Sequence, residues 1–118
     1  MPRLYFAVDL KDDPALIAEY ERWHRPEHVW PEVVAALTAS GVEELEIFRC
    51  GNRLMMVMDA PQDFRPVDEV TSAGDRPARW EELMWRFQQS LPFAEPGQKW
   101  VPMRRIFSLS VTVKEQGQ

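Results

Sequence analysis

The chain opens on an alternation of apolar and polar positions. Leu4, Phe6, Val8 and Leu10 fall on one side of an extended segment, and Arg3, Tyr5, Ala7 and Asp9 on the other, which predicts a half-buried strand over Arg3–Leu10. Asp12-Asp13-Pro14 then supplies an acidic cap and a proline in a first helical turn. Ile17, Tyr20, Trp23 and His24 follow at i, i+3, i+6 and i+7, one stripe of that helix. Pro26 pushes Arg25 out of the helical region, so the helix breaks there. A second helical stretch carries Trp30, Val33, Val34 and Leu37 inward until Gly41 stops it. Glu44–Cys50 alternates around Leu45 and Ile47, whereas Arg53–Asp59 is apolar on both sides through Leu54, Met55, Met56, Val57 and Met58. Gly51-Asn52 between them is a tight hairpin signal, and a strand apolar on both faces belongs at the centre of a sheet. A short helix is expected at Val67–Ser72, and a longer one from Pro77 with Trp80, Leu83, Met84, Phe87 and Leu91 on its face. Pro92–Gly97 reads as a loop, Met103–Val111 as the last strand and Lys114–Gln118 as a polar tail.

Strand, helix, strand, strand, helix, strand is the α+β, ferredoxin-like βαββαβ order: a four-stranded antiparallel sheet with its helices on one face, as in dimeric α/β barrels. The other face of such a sheet is bare, which predicts a homodimer or a ligand against it. A length of 118 residues fits one domain, 1–118. The net charge of −5 and the lack of a basic stripe argue against nucleic acid as a partner. No apolar run approaches the roughly 20 residues of a membrane span, and Met1–Asp12 lacks the architecture of a secretory leader. The lone Cys50 can form neither an internal disulfide nor a Cys-x-x-Cys metal site. A cytoplasmic setting is expected, with Cys50 a half-buried strand-end residue rather than a nucleophile.

Glycine-rich phosphate loops and nucleophile elbows are missing from the sequence. His24-Arg25-Pro26-Glu27-His28 matches a zinc-protease pattern in letters, but Pro26 spoils the helix that two histidine ligands on consecutive turns require, so no metal is expected. Tyr20 and His24, at i and i+4, share one helical face. They suit either a proton-transfer pair, with an imidazole titrating near neutrality beside an anchoring hydroxyl, or a core tyrosine below a solvent-facing helix end. Trp23, Trp30, Trp80, Trp85 and Trp100 divide in the same way. Flat indole faces stack on sugars, yet the helical phase of Trp30 and Trp80 equally suits a core.

Tyr20-Glu21-Arg22-Trp23-His24, Val29-Trp30-Pro31-Glu32-Val33, Gly41-Val42 leading to Glu46-Ile47-Phe48, Asn52-Arg53-Leu54, Arg79-Trp80-Glu81-Glu82-Leu83-Met84, Trp100-Val101-Pro102-Met103 and Ile106-Phe107-Ser108-Leu109 stand in the order seen in one family. Over about residues 3–110 the chain resembles the L-rhamnose mutarotases, a family that includes L-fucose mutarotases. The resemblance implies a homodimeric enzyme without cofactor or metal that interconverts the α and β anomers of a 6-deoxy-L-hexose, a small monosaccharide. It places the proton donor at His24 and substrate contacts at Tyr20 and Trp80, with Trp30 as a further aromatic candidate. Two extra residues before Trp30 make His28 a rival for the catalytic position, and the spacing to Tyr20 favours His24. Leu45 stands where rhamnose-type members carry a substrate-side tyrosine, and Glu81 where they carry a second tryptophan. Losing that hydroxyl and exchanging an indole for a carboxylate points to L-fucose over L-rhamnose. The alternatives are a dimeric α/β-barrel oxygenase or small-ring isomerase, and a non-catalytic ligand-binding module.

Overall fold

The computed structural model describes residues 2–64 and 76–117; the expected helix at Val67–Ser72 lies outside them. Five strands and four helices are seen among the described residues: β1 (Arg3–Leu10), α1 (Pro14–Trp23), α2 (Pro31–Ala39), β2 (Glu44–Cys50), β3 (Arg53–Asp59), α3 (Arg76–Trp85), β4 (Gln88–Gln89), β5 (Val101–Pro102) and α4 (Leu109–Gln116). The sheet is antiparallel in the order β2-β3-β1-β4, with β5 also on β1. β4 pairs with Asp9 and Leu10, and β5 with Phe6 and Ala7, so two short pieces share the fourth strand position of the ferredoxin-like plan.

Local chemistry accounts for the first half. Asp13 caps α1, its carboxylate accepting the Ala15 and Leu16 amides at 2.9 and 3.2 Å, and Pro14 begins the helix. Pro31 opens α2 in the same manner. Gly41 closes the turn after α2 at φ +90°, and a Cβ there would lie 3.0 Å from Pro61 Cγ, so both backbone and space require glycine. Gly51 takes φ +61° in the two-residue hairpin that sets Cys50 opposite Arg53.

With period 2, this register puts Leu4, Phe6, Val8, Leu10, Leu54, Met56, Met58, Leu45 and Ile47 on the helix-facing side. Val8, Leu10, Leu54 and Met58 there are almost wholly buried. The opposite face carries Tyr5, Ala7, Met55, Val57 and Phe48. Two ion pairs cross it between neighbouring strands: Asp9 with Arg53 (2.7 and 3.2 Å) and Arg3 with Asp59 (3.2 Å). Tyr5 and Phe48 are 40% and 50% exposed, so this face is bare in the single chain, as the helix-on-one-side plan predicts.

The structure departs from the sequence reading in three places, two of them in the second half. α3 ends at Trp85 instead of running to Leu91. The Phe87 carbonyl accepts the Lys11 amide at 2.8 Å and Gln88 pairs with Leu10, so capture by the open edge of β1 outweighs continued helical periodicity. Phe87 and Leu91 are buried as expected, but from a turn and a loop. The strand expected at Met103–Val111 is also corrected. Strand pairing stops at Pro102, apart from the Met103 amide on the Tyr5 carbonyl (2.8 Å), and Ser108 caps a helix. A strand needs a partner for its amides, whereas a helix satisfies its own; the Lys114–Gln118 tail accordingly begins inside α4. Finally, Cys50 is exposed, because it ends the edge strand β2 on the bare face.

Candidate active site

A cavity of about 310 Å³ lies between the helices and the sheet, at the small end of the roughly 300–1,000 Å³ seen for small-molecule sites. α1 contributes Tyr20 and His24, one turn apart. α3 contributes Trp80, Glu81 and Met84. The sheet supplies the floor through Leu45, Ile47, Met56 and Met58, with Gln88 and Trp100 at the β4–β5 side. The edge strand β2 and its neighbour β3 place their side chains in register here, Leu45 opposite Met58 and Ile47 opposite Met56.

His24 stands at the C-terminal cap of α1, where the backbone tightens and its amide bonds the Glu21 carbonyl at 3.1 Å. Its imidazole takes the Tyr20 carbonyl in place of a helical amide, Nδ1 to O at 2.8 Å. A carbonyl oxygen only accepts, so Nδ1 carries the proton and Nε2 keeps a lone pair. The imidazole is boxed by aromatic rings, with its centroid 4.5 Å from Tyr20 and 5.6 Å from Trp80. Burial lowers its pKa from the ordinary 6.5, against a smaller upward pull from the bond to Tyr20, so the neutral form is favoured at neutral pH.

Tyr20 is 3% exposed. Burial raises its phenol well above the usual value, the hydrogen bond from Gln88 opposes that rise, and the charge of Glu81 adds to it. The Tyr20 hydroxyl therefore stays protonated, accepting from Gln88 Nε2 at 3.2 Å and retaining its own hydrogen to give.

Of the residues picked from sequence, Tyr20, His24, Leu45, Trp80 and Glu81 all line the cavity. Trp30 does not. Its ring meets Trp80 edge-on at 5.2 Å, and Trp23 does so at 6.2 Å, so both brace the Trp80 indole from behind. Trp100 lines the cavity, and Trp85 lies under the Lys99 ammonium, 5.3 Å from its ring centre. Trp80 and Trp100 thus line the cavity while packing in the core, and Trp23 and Trp30 pack without reaching it. His28 is exposed and bonds the Arg22 carbonyl at 2.9 Å, outside the cavity. Gln88 was hidden in the sequence, because a helix continued through Phe87 puts it on a polar flank. No group of three or more His, Cys, Asp or Glu side chains able to hold a metal ion occurs among the described residues. No described helix is long and apolar enough to cross a membrane.

Comparison with known proteins bears on the family and the fold. A sequence model of the L-rhamnose mutarotase family matches residues 3–109. An L-fucose mutarotase of Xanthomonas campestris pv. campestris is 55% identical over 118 residues, covering 98% of this chain and 94% of that protein. An L-rhamnose mutarotase of Acidiphilium cryptum is 33% identical over 92% of this chain and 99% of its own length. The crystal structure of an L-rhamnose mutarotase from Formosa agariphila superposes with a TM-score of 0.64 at 22% identity. It covers 92% of this chain and 99% of that one, and supports the fold.

Proposed function

The chain belongs to the L-rhamnose mutarotase family, and from that premise we propose that it interconverts the α and β anomers of a 6-deoxy-L-hexose, with L-fucose preferred to L-rhamnose. The observation that carries the reading is a neutral imidazole, fixed with its proton on Nδ1 and its lone pair on Nε2, in the wall of a sugar-sized, largely apolar cavity.

The reaction needs only proton transfers. Nε2 of His24 accepts the proton of the anomeric hydroxyl as the bond from C1 to the ring oxygen breaks. The same nitrogen then gives that proton to the ring oxygen, which is attached to the same carbon in the starting sugar. Rotation about C1–C2 presents the other face of the open-chain aldehyde, and the reverse steps close the ring. One placed imidazole supplies about 10²–10⁴-fold. The Tyr20 hydroxyl donates to a sugar oxygen, and Trp80 offers an apolar wall to the ring C–H face and the C6 methyl. As written, no cofactor or metal enters.

The fucose preference is supported by the 55% identity to a protein named for that sugar and by Leu45 and Glu81 in the cavity wall. Saturation transfer between the α and β anomeric proton signals, run side by side, is expected to be faster on L-fucose by about tenfold or more, the scale of one misplaced polar contact. Equal or faster exchange on L-rhamnose overturns the preference and leaves the mutarotase reading in place.

We also propose that the chain works as a homodimer in the cytoplasm, where the exposed Cys50 stays reduced. The bare sheet face supports the dimer, as does the C-terminal segment. Ile106, Phe107 and Leu109 are 91%, 64% and 68% exposed, and α4 buries no residue. Apolar surface left open on both the sheet and the arm is more than a solitary soluble chain usually presents. Light scattering is expected to give twice 13.8 kDa; a stable single-chain mass at micromolar concentration contradicts this.

A further inference from the structure

Gln88 is a buried polar residue with half of its hydrogen-bonding capacity unused. It is 2% exposed and sits opposite Leu10 in β4, which turns its side chain to the helix-facing side of the sheet, into the cavity wall. Nε2 donates to the Tyr20 hydroxyl at 3.2 Å, whereas Oε1 has no hydrogen-bond partner among the described residues. Buried amide oxygens are almost always paired, because leaving one empty is costly. Turning the amide over does not remove the deficit. Oε1 would then accept from Tyr20, and the NH₂ group would be left over. A sugar hydroxyl both donates and accepts, so it completes the amide in either orientation.

We propose that Gln88 is a specificity-determining residue of the sugar site, its amide holding Tyr20 at one end and the C4 hydroxyl of the substrate at the other. The proposal rests on the mutarotase reading. Its geometric basis is the order of the polar groups: Tyr20 touches both His24 and Gln88. With the anomeric carbon at His24, Gln88 stands on the other side of the shared Tyr20 contact, so the hydroxyl assigned to it is one other than the anomeric hydroxyl. L-Fucose and L-rhamnose carry the C4 hydroxyl in opposite orientations, and they also differ at C2. Met56, Met58 and Met84 in the same lining offer no strong hydrogen-bonding group, while the Trp100 indole only donates and Glu81 lies near enough to Tyr20 to act on its phenol.

The test compares kcat/KM for anomeric exchange of L-fucose, 4-deoxy-L-fucose and 2-deoxy-L-fucose in the wild type and in Gln88→Met, which keeps length and removes the amide. The wild type is expected to prefer L-fucose to the 4-deoxy sugar by roughly tenfold or more, since a polar group built to pair is left empty by the analogue. Gln88→Met is expected to treat these two sugars nearly alike, with the 2-deoxy ratio unchanged between the two proteins. A role confined to holding Tyr20 lowers all three sugars by one factor and preserves every ratio, which overturns the proposal. Should Gln88→Met fail to fold, the wild type still decides. The ¹⁵N side-chain amide resonance of Gln88 is expected to shift on saturation with L-fucose and much less with the 4-deoxy sugar; equal or absent shifts overturn it. An active wild type with unchanged ratios defeats this proposal alone. A wild type without exchange on any of these sugars defeats the mutarotase reading, and this proposal with it.

Discussion

His24→Ala is expected to lose about 10²–10⁴-fold in the rate of anomeric exchange on L-fucose, the contribution of one general acid–base group, with far-ultraviolet circular dichroism unchanged. The prediction follows from where the two histidines stand. His24 holds its Nδ1 on the Tyr20 carbonyl and lines the cavity between Tyr20 and Trp80. His28 is exposed, with Nδ1 on the Arg22 carbonyl. His28→Ala is therefore expected to stay close to wild-type activity. If His28→Ala is the inactive variant, the two-residue insertion before Trp30 has been placed on the wrong side of the catalytic histidine.

Trp80→Ala carries the second large effect, on stability as well as activity. The indole is 6% exposed and meets Trp23, His24 and Trp30, each edge-on, so truncation leaves a void bounded by rings that α1 and the turn before α2 hold in place. Removing an aromatic side chain from such a setting costs about 3–5 kcal/mol, to be read from urea unfolding. Trp80→Phe retains part of the packing and is expected to fold normally, with KM for L-fucose raised because a smaller ring offers less stacking area. Unfolding of Trp80→Ala at the wild-type urea midpoint contradicts the bracing role assigned to Trp23 and Trp30.

Much of this site was legible in the sequence because it is built from local rules. Tyr20 and His24 share a face through helical spacing alone, and Pro26 ends α1 close enough behind His24 to set the imidazole at the helix terminus. Leu45, Met56 and Met58 reach the cavity through period-2 alternation and the two-residue hairpin that fixes their register. The β4–β5 side is where local rules stop. Nothing between Pro77 and Pro92 tells a helix to end at Trp85, since the residues there are all compatible with continuing it; what ends it is the unpaired edge of β1, far away in sequence. A helix continued past Trp85 would leave Gln88 on a polar flank, and only the tertiary pairing with Leu10 turns it inward. The strand expected at Met103–Val111 finds no strand neighbour beyond Met103 among the described residues, and from Leu109 the chain satisfies its backbone as α4. The resemblance to a known family singles out Tyr20, His24, Leu45, Trp80 and Glu81, and the structure brings these five to one cavity.

The central claim is that a neutral His24 exchanges the proton, and the pH dependence of kcat/KM for L-fucose exchange tests it most directly. Burial lowers the folded pKa of His24 below its ordinary 6.5. The active, unprotonated form then predominates at neutral pH and is lost as pH falls through that lowered value. The same shift makes the unfolded chain bind more protons at acid pH, so the contribution of His24 to stability is full above about 6.5 and declines below it. Circular dichroism over the same range separates loss of activity from loss of fold. The predicted result is a flat rate at neutral pH and an acid limb with its midpoint below 6.5 while the protein remains folded, a limb absent from the residual rate of His24→Ala. A protein-dependent rate that rises as pH falls through 6.5, or no protein-dependent exchange at any pH, contradicts it.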